Sequence, residues 1–126
     1  MTEHENREKG RQLMERMMGR KVGETQTAQF PEWQDWTQRV LFGEVWTRET
    51  VDLKMRSLCV VAALTVLYRP EQLRAHVIGA LNNGAAPEEI IEIIMQMGFY
   101  GGWPTAVTAL GVAGKVFEER GLEIKK

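Results

Sequence analysis

The run LCVVAALTVL, Leu58 to Leu67, constrains this chain more than any other stretch, because Thr65 is its only polar residue. A helix that is apolar all round has no side to turn toward water and must be buried, so the run reads as the central element of the fold. The helix carrying it begins near Asp52. Within it the single cysteine, Cys59, reads as a small inert core residue.

Proline and glycine divide the rest of the chain into further helices, and no stretch keeps the period-two alternation of strands. From about Glu5 to Gly19, a charged and Met-rich segment places Leu13, Met14, Met17 and Met18 on one side of a first helix. Pro31 suits the first turn of a second, which runs through WQDWTQRVLF with Trp33, Trp36, Val40 and Leu41 on a common face. GEVWTRET then breaks the pattern. Beyond the apolar run, Pro70 opens a fourth helix that Gly84 ends. Pro87 opens a fifth, with Glu88 and Glu89 in the first turn where the helix dipole favours them. GGWP interrupts at 101–104, and a sixth runs from about Pro104 to Arg120 with Gly121 as its stop. The expectation is an all-α chain of about six helices with short connections, in one domain spanning 1–126 whose residues 1–30 form an N-terminal helical extension.

Charge removes several classes of function. With 16 Lys and Arg against 17 Asp and Glu, no bulk attraction draws the chain to nucleic acid or an anionic membrane, and a near-neutral surface tolerates self-association. One cysteine allows neither an intrachain disulfide nor a CxxC redox or zinc site, and two histidines without paired spacing point to no metal. The N-terminus MTEHENREKGRQ is polar where a signal peptide needs an apolar core, and no apolar run reaches the length of a membrane span, so the expectation is a soluble, cytoplasmic chain.

Of the two histidines, His4 lies in a charged segment, which leaves His76 as the carrier of proton chemistry near neutral pH. In RPEQLRAHVIGALNNG, Leu73, Val77, Ala80 and Leu81 form the buried stripe, and His76 falls on its border beside Gln72, Gly79 and Asn83. The imidazole is therefore expected to be half-buried. Gly79 costs a helix interior about 1 kcal/mol relative to Ala, so the bare patch one turn after His76 serves either close helix packing or a ligand. Two readings stand: a boundary histidine bonded to a neighbouring carboxylate or carbonyl, or a proton donor facing a pocket.

The segments GEVWTR, DLKMRSL and RPEQLRAHVIGALNNGAAPEEIIEIIMQMGFYGGWPTAV, in that order from about Gly43 to Phe117, resemble the carboxymuconolactone decarboxylase family. The resemblance implies an alkylhydroperoxidase-like helical fold in a homo-oligomer, hexameric or trimeric. The peroxidase branch of the family carries C-x-x-C-x-x-x-H, and the positions corresponding to its thiols are Arg69 and Gln72 here, with Ser57 where that branch has a relay glutamate. Without those thiolates its chemistry is disfavoured.

The decarboxylase branch is what the resemblance then implies: loss of carbon dioxide from a carboxylated unsaturated lactone, with electrons flowing into the lactone carbonyl and a proton delivered to the dienolate. No metal or organic cofactor is needed. Such a site requires a cation for the carboxylate, donors toward the lactone oxygen and one acid with a pKa near the working pH. His76 takes the last role and Arg56 the first, as a planar guanidinium suited to bidentate contact or, alternatively, as the i, i−4 partner of Asp52. Glu44, Trp46 and Arg48 match the family's G-[DE]-V-[WY]-[ST]-R segment and are expected at the pocket wall or at an oligomer contact. Gln96 stands where family decarboxylases have histidine, either to bond a lactone oxygen or as part of a solvated face with Glu89 and Glu92. Tyr100 fits Y-x-G-x-P, while Trp103 puts a large ring where smaller side chains are usual, reshaping a pocket or an interface. Two alternatives remain: another cofactor-free lyase or isomerase on a lactone or cyclic keto acid, and a non-catalytic oligomer that binds a small molecule.

Overall fold

The protein was analysed as a computed structural model that describes residues 2–125, and every regular element among them is helical. The chain gathers into two compact units, residues 1–53 and 54–126.

In the first unit, helix α1 (Glu3–Met18) opens on a reciprocal cap. The Thr2 hydroxyl accepts the Glu5 N–H at 3.1 Å and the Glu5 carboxylate accepts the Thr2 N–H at 3.3 Å, satisfying two donors that the first turn leaves over. Gly19 ends it in the left-handed region, φ 68°. Its buried stripe is Gly10, Leu13, Met14 and Met17, as the 3.6-residue period dictates. A short 3₁₀ turn, Val22–Glu24, leads to α2 (Pro31–Trp36), which starts on its proline.

Here the structure departs from the sequence expectation. GEVWTRET does not end the second helix after Phe42. The helix widens into a π-helical stretch, Thr37–Val45, in which bonds run five residues back, as from the Trp46 N–H to the Leu41 carbonyl at 2.9 Å. The wide turns lie where this helix meets α1. A Cβ on Gly10 would overlap the Gln38 carbonyl oxygen, and one on Gly43 the Asn6 carbonyl oxygen, so the backbones touch where neither carries a side chain. Beside this contact Phe42 and Trp46 stack, 5.6 Å between centroids, and both are buried. Asp35 accepts from Arg7 at 2.5 Å and from Arg39 at 3.0 Å, which ties α1 to the second helix by charge as well.

The second unit holds α3 (Leu53–Val66) from its second residue on, α4 (Pro70–Asn82), α5 (Pro87–Gly101) and α6 (Trp103–Glu119). Prolines sit in the first turns of α4, α5 and α6, and Gly84 and Gly102, at φ 98° and 107°, take the reversals between them. Leu73, Val77 and Ala80 of α4, Ile90 and Ile94 of α5, and Ala106, Ala109, Ala113, Val116 and Phe117 of α6 form one core that Val61 of α3 completes. The small residues let the helices close up: a Cβ on Gly98 would stand 2.8 Å from that of Ala106.

Helix α3 is not the enclosed centre that its composition predicts. It buries Ser57, Val61 and Thr65 and turns Met55, Cys59, Ala63 and Val66 outward. Cys59 is an exposed free thiol and not a core residue. The reason is geometric: the other helices of its own unit cover the side of α3 that carries Ser57, Val61 and Thr65 and leave the other side open. Among the described residues no helix is long and apolar enough to cross a membrane.

Candidate functional site

His76 owes its place to α4. Leu73, Val77 and Ala80 draw that helix into the core, Gly79 is buried with them, and the imidazole at the stripe's edge is half-buried with its Nδ1 enclosed. Two contacts fix α4 against α6: Arg74 pairs with Glu119 at 2.6 Å, and Arg120 donates to the Asn82 side-chain oxygen at 2.9 Å. The Arg74 guanidinium holds the Glu119 carboxyl below its ordinary range.

A polar contact joins α4 to α3 as well. The Asn83 amide donates to the hydroxyl of Ser57, which is fully buried, at 2.9 Å. Asn83 follows His76 by seven residues, two turns on the same helix face and roughly 10 Å along the axis. Arg56, half-buried, is the neighbour of Ser57. The two residues expected to carry the chemistry thus lie on two helices that this buried pair pins together. Asn83 was legible only as a neighbour of His76; its partner was not, because their 26-residue separation is closed by tertiary folding alone.

The residues expected at a pocket wall fall in three settings. Trp46 and Arg48 line a cleft of about 520 Å³ in the first unit, with Lys9, Gln12, Leu13 and Arg16 of α1 along one side and Glu49 and Asp52 along another. Glu44 does not line that cleft; its carboxylate accepts from the Asn6 amide at 3.3 Å. In the second unit Gln96 is exposed, and so are Tyr100 and Trp103, at 81% and 67%. Trp103 meets Phe99 edge to face, 5.9 Å between centroids. Lys9 and Arg16 enter the cleft from α1, ahead of the segment near Gly43 where the resemblance begins.

The second unit thus holds a half-buried histidine on α4 and an arginine on α3, with Arg69 and Gln72 at the positions where the peroxidase branch has its thiols. Residues 31–115 match the Carboxymuconolactone decarboxylase family. The chain belongs to that family. It is 34% identical over 95 residues to a 4-carboxymuconolactone decarboxylase of Acinetobacter baylyi, covering 75% of this chain and 71% of the relative. An uncharacterized 15.0 kDa protein of Paracoccus denitrificans is 43% identical over 81 residues, covering 62% of this chain and 60% of the relative. A nitrosuccinic acid decarboxylase of Metarhizium robertsii is 32% identical over 78 residues, covering 62% and 54%. The two relatives with named activities are both decarboxylases.

Proposed function

We propose that this protein is a cofactor-independent carboxy-lyase acting on a small acid whose carboxylate is set against an electron sink, with a carboxylated unsaturated lactone as the substrate class. The two relatives with named activities are both decarboxylases. In the proposed chemistry an electron sink such as a lactone carbonyl or a nitro group accepts the electron pair released with carbon dioxide. What must be common to both is protonation of the resulting carbanion.

The observation that carries the reading is the place of His76: half-buried at the edge of the core stripe of α4, with Nδ1 enclosed. In the proposed reaction Arg56 anchors a substrate carboxylate, the C–C bond to the departing carboxylate breaks toward the lactone carbonyl, carbon dioxide leaves, and His76 delivers one proton to the dienolate. The Asn83–Ser57 hydrogen bond joins α4 to α3, the helices that carry His76 and Arg56.

The test is a time course by NMR in D₂O with fresh γ-carboxymuconolactone. Wild-type protein is expected to release the carboxyl group and incorporate one deuterium, and His76→Gln to lose about 10²–10⁴ in rate with its helicity unchanged, the usual contribution of a positioned acid. A His76→Gln protein as fast as wild type removes the histidine from the mechanism. No turnover by folded wild type moves the reading to another lactone or cyclic keto acid.

A further inference from the structure

We propose that the cleft of the first unit binds a small acid with a carboxylate at one end of a flat apolar body and a hydrogen-bond donor, hydroxyl or ammonium, at the other. The inference stands apart from the reaction proposed for His76 and Arg56.

Three observations carry it. First, the cleft is built inside one unit: it encloses about 520 Å³, and every residue that lines it falls between Lys9 and Leu53. Sites for small molecules span about 300–1,000 Å³. The room is sufficient for a single ring with its substituents.

Second, the charges on its walls are those that the fold leaves over. Of the four lysines and arginines on α1, Arg7 is matched by Asp35 and Arg11 by Glu8 and Glu15, whereas Lys9 and Arg16 pair with no carboxylate among the described residues. The unmatched two are the ones that line the cleft. Seven residues apart, they lie two turns along one helix face, roughly 10 Å from each other at the backbone. Glu49 lines the cleft too, is exposed, and pairs with no cation among the described residues. Arg48 and Asp52 add one charge of each sign, which leaves the polarity to the other three. Two cations and a carboxylate that share a cleft without meeting are complementary to a ligand with one anionic end and one donating end. A second anionic end would be repelled by Glu49.

Third, much of the remaining lining is apolar and held in place. Trp46 is buried and stacked on Phe42, and Leu13 is buried beside it in the wall. An indole fixed in this way receives a flat unsaturated body at little cost in ordering. Helix α1 precedes residues 31–115, so its two cations lie outside what the family match covers.

The experiment is isothermal titration of the full chain with para-(aminomethyl)benzoate, para-methylbenzoate and terephthalate, which share one ring and one carboxylate and differ at the far end. One site per chain is expected, with affinity falling in that order and the first acid at least about tenfold tighter than the second, the worth of one charge-assisted bond. The double variant Lys9→Gln, Arg16→Gln alters exposed side chains only, so its helicity is retained, and it should weaken all three acids at least about tenfold. Glu49→Gln should erase the preference for the aminomethyl group and leave para-methylbenzoate unchanged. No binding at millimolar acid overturns the proposal, as does terephthalate binding more tightly than para-(aminomethyl)benzoate. Binding that survives the double variant and is lost in Arg56→Gln overturns it too, because the acid is then held in the second unit.

Discussion

Helices α1 and α3 differ in where their partners are. α1 is charged and amphipathic, and everything it needs lies inside its own unit. Its apolar stripe meets the π-helical stretch, Arg11 is matched by Glu8 and Glu15, and Arg7 by Asp35. α3 is apolar nearly all round from Leu58 on, yet it buries only Ser57, Val61 and Thr65. An amphipathic pattern states which face is covered and implies a local solution. A uniformly apolar one states only that cover is required, and the unit to which α3 belongs covers one side of it.

The largest effect that can break this contrast is at the glycine contact. Gly10→Ala adds one methyl group that overlaps the Gln38 carbonyl oxygen, so α1 must move off the π-helical stretch, at an expected cost of about 3 kcal/mol. Urea unfolding followed by the fluorescence of buried Trp46 reads it. A stabilisation of about 1 kcal/mol, the propensity gain of Ala over Gly in an open helix, would mean that the backbones do not touch.

A smaller effect is expected on the α3 side. Ser57→Ala leaves the half-buried Asn83 amide without its acceptor and should destabilise by about 1–2 kcal/mol. If Ser57 and Asn83 also hold Arg56 and His76 in register, the rate of the proposed reaction falls with it, and Ser57→Thr, which keeps the hydroxyl, recovers rate before stability. Equal loss of rate in both variants would separate the pair from the chemistry.

The smallest effect belongs to surface charge. The Arg7 guanidinium, and after it that of Arg39, hold the Asp35 carboxyl below its ordinary value of 3.8. A depressed folded pKa contributes stability that is fully present above the unfolded value and is lost as pH falls through the folded one. Acid titration below about pH 4 should therefore loosen α1 from the second helix, and Asp35→Asn should lower stability at pH 7 while flattening that acid limb. An acid limb of unchanged slope in Asp35→Asn assigns the proton uptake to other carboxylates.

Much of the fold was legible in advance because it rests on local rules. Pro31, Pro70 and Pro87 open helices, Gly19, Gly84 and Gly121 take positive φ where helices end, and the stripe Leu73, Val77, Ala80 is buried with His76 half-buried at its edge. These depend on φ preferences and a 3.6-residue period, which neighbouring residues express without help from the rest of the chain.

What only the tertiary structure decided depends on which side of a helix finds a neighbour and how closely. The π-helical continuation to Val45, the meeting of Gly10 with Gly43, the link from Asn83 to Ser57 and the outward turn of Cys59 all join residues far apart in sequence or depend on which side of a helix its own unit covers. Residue type sets the demand for burial through its affinity for water. Position in space, which no local pattern encodes, determines how that demand is met.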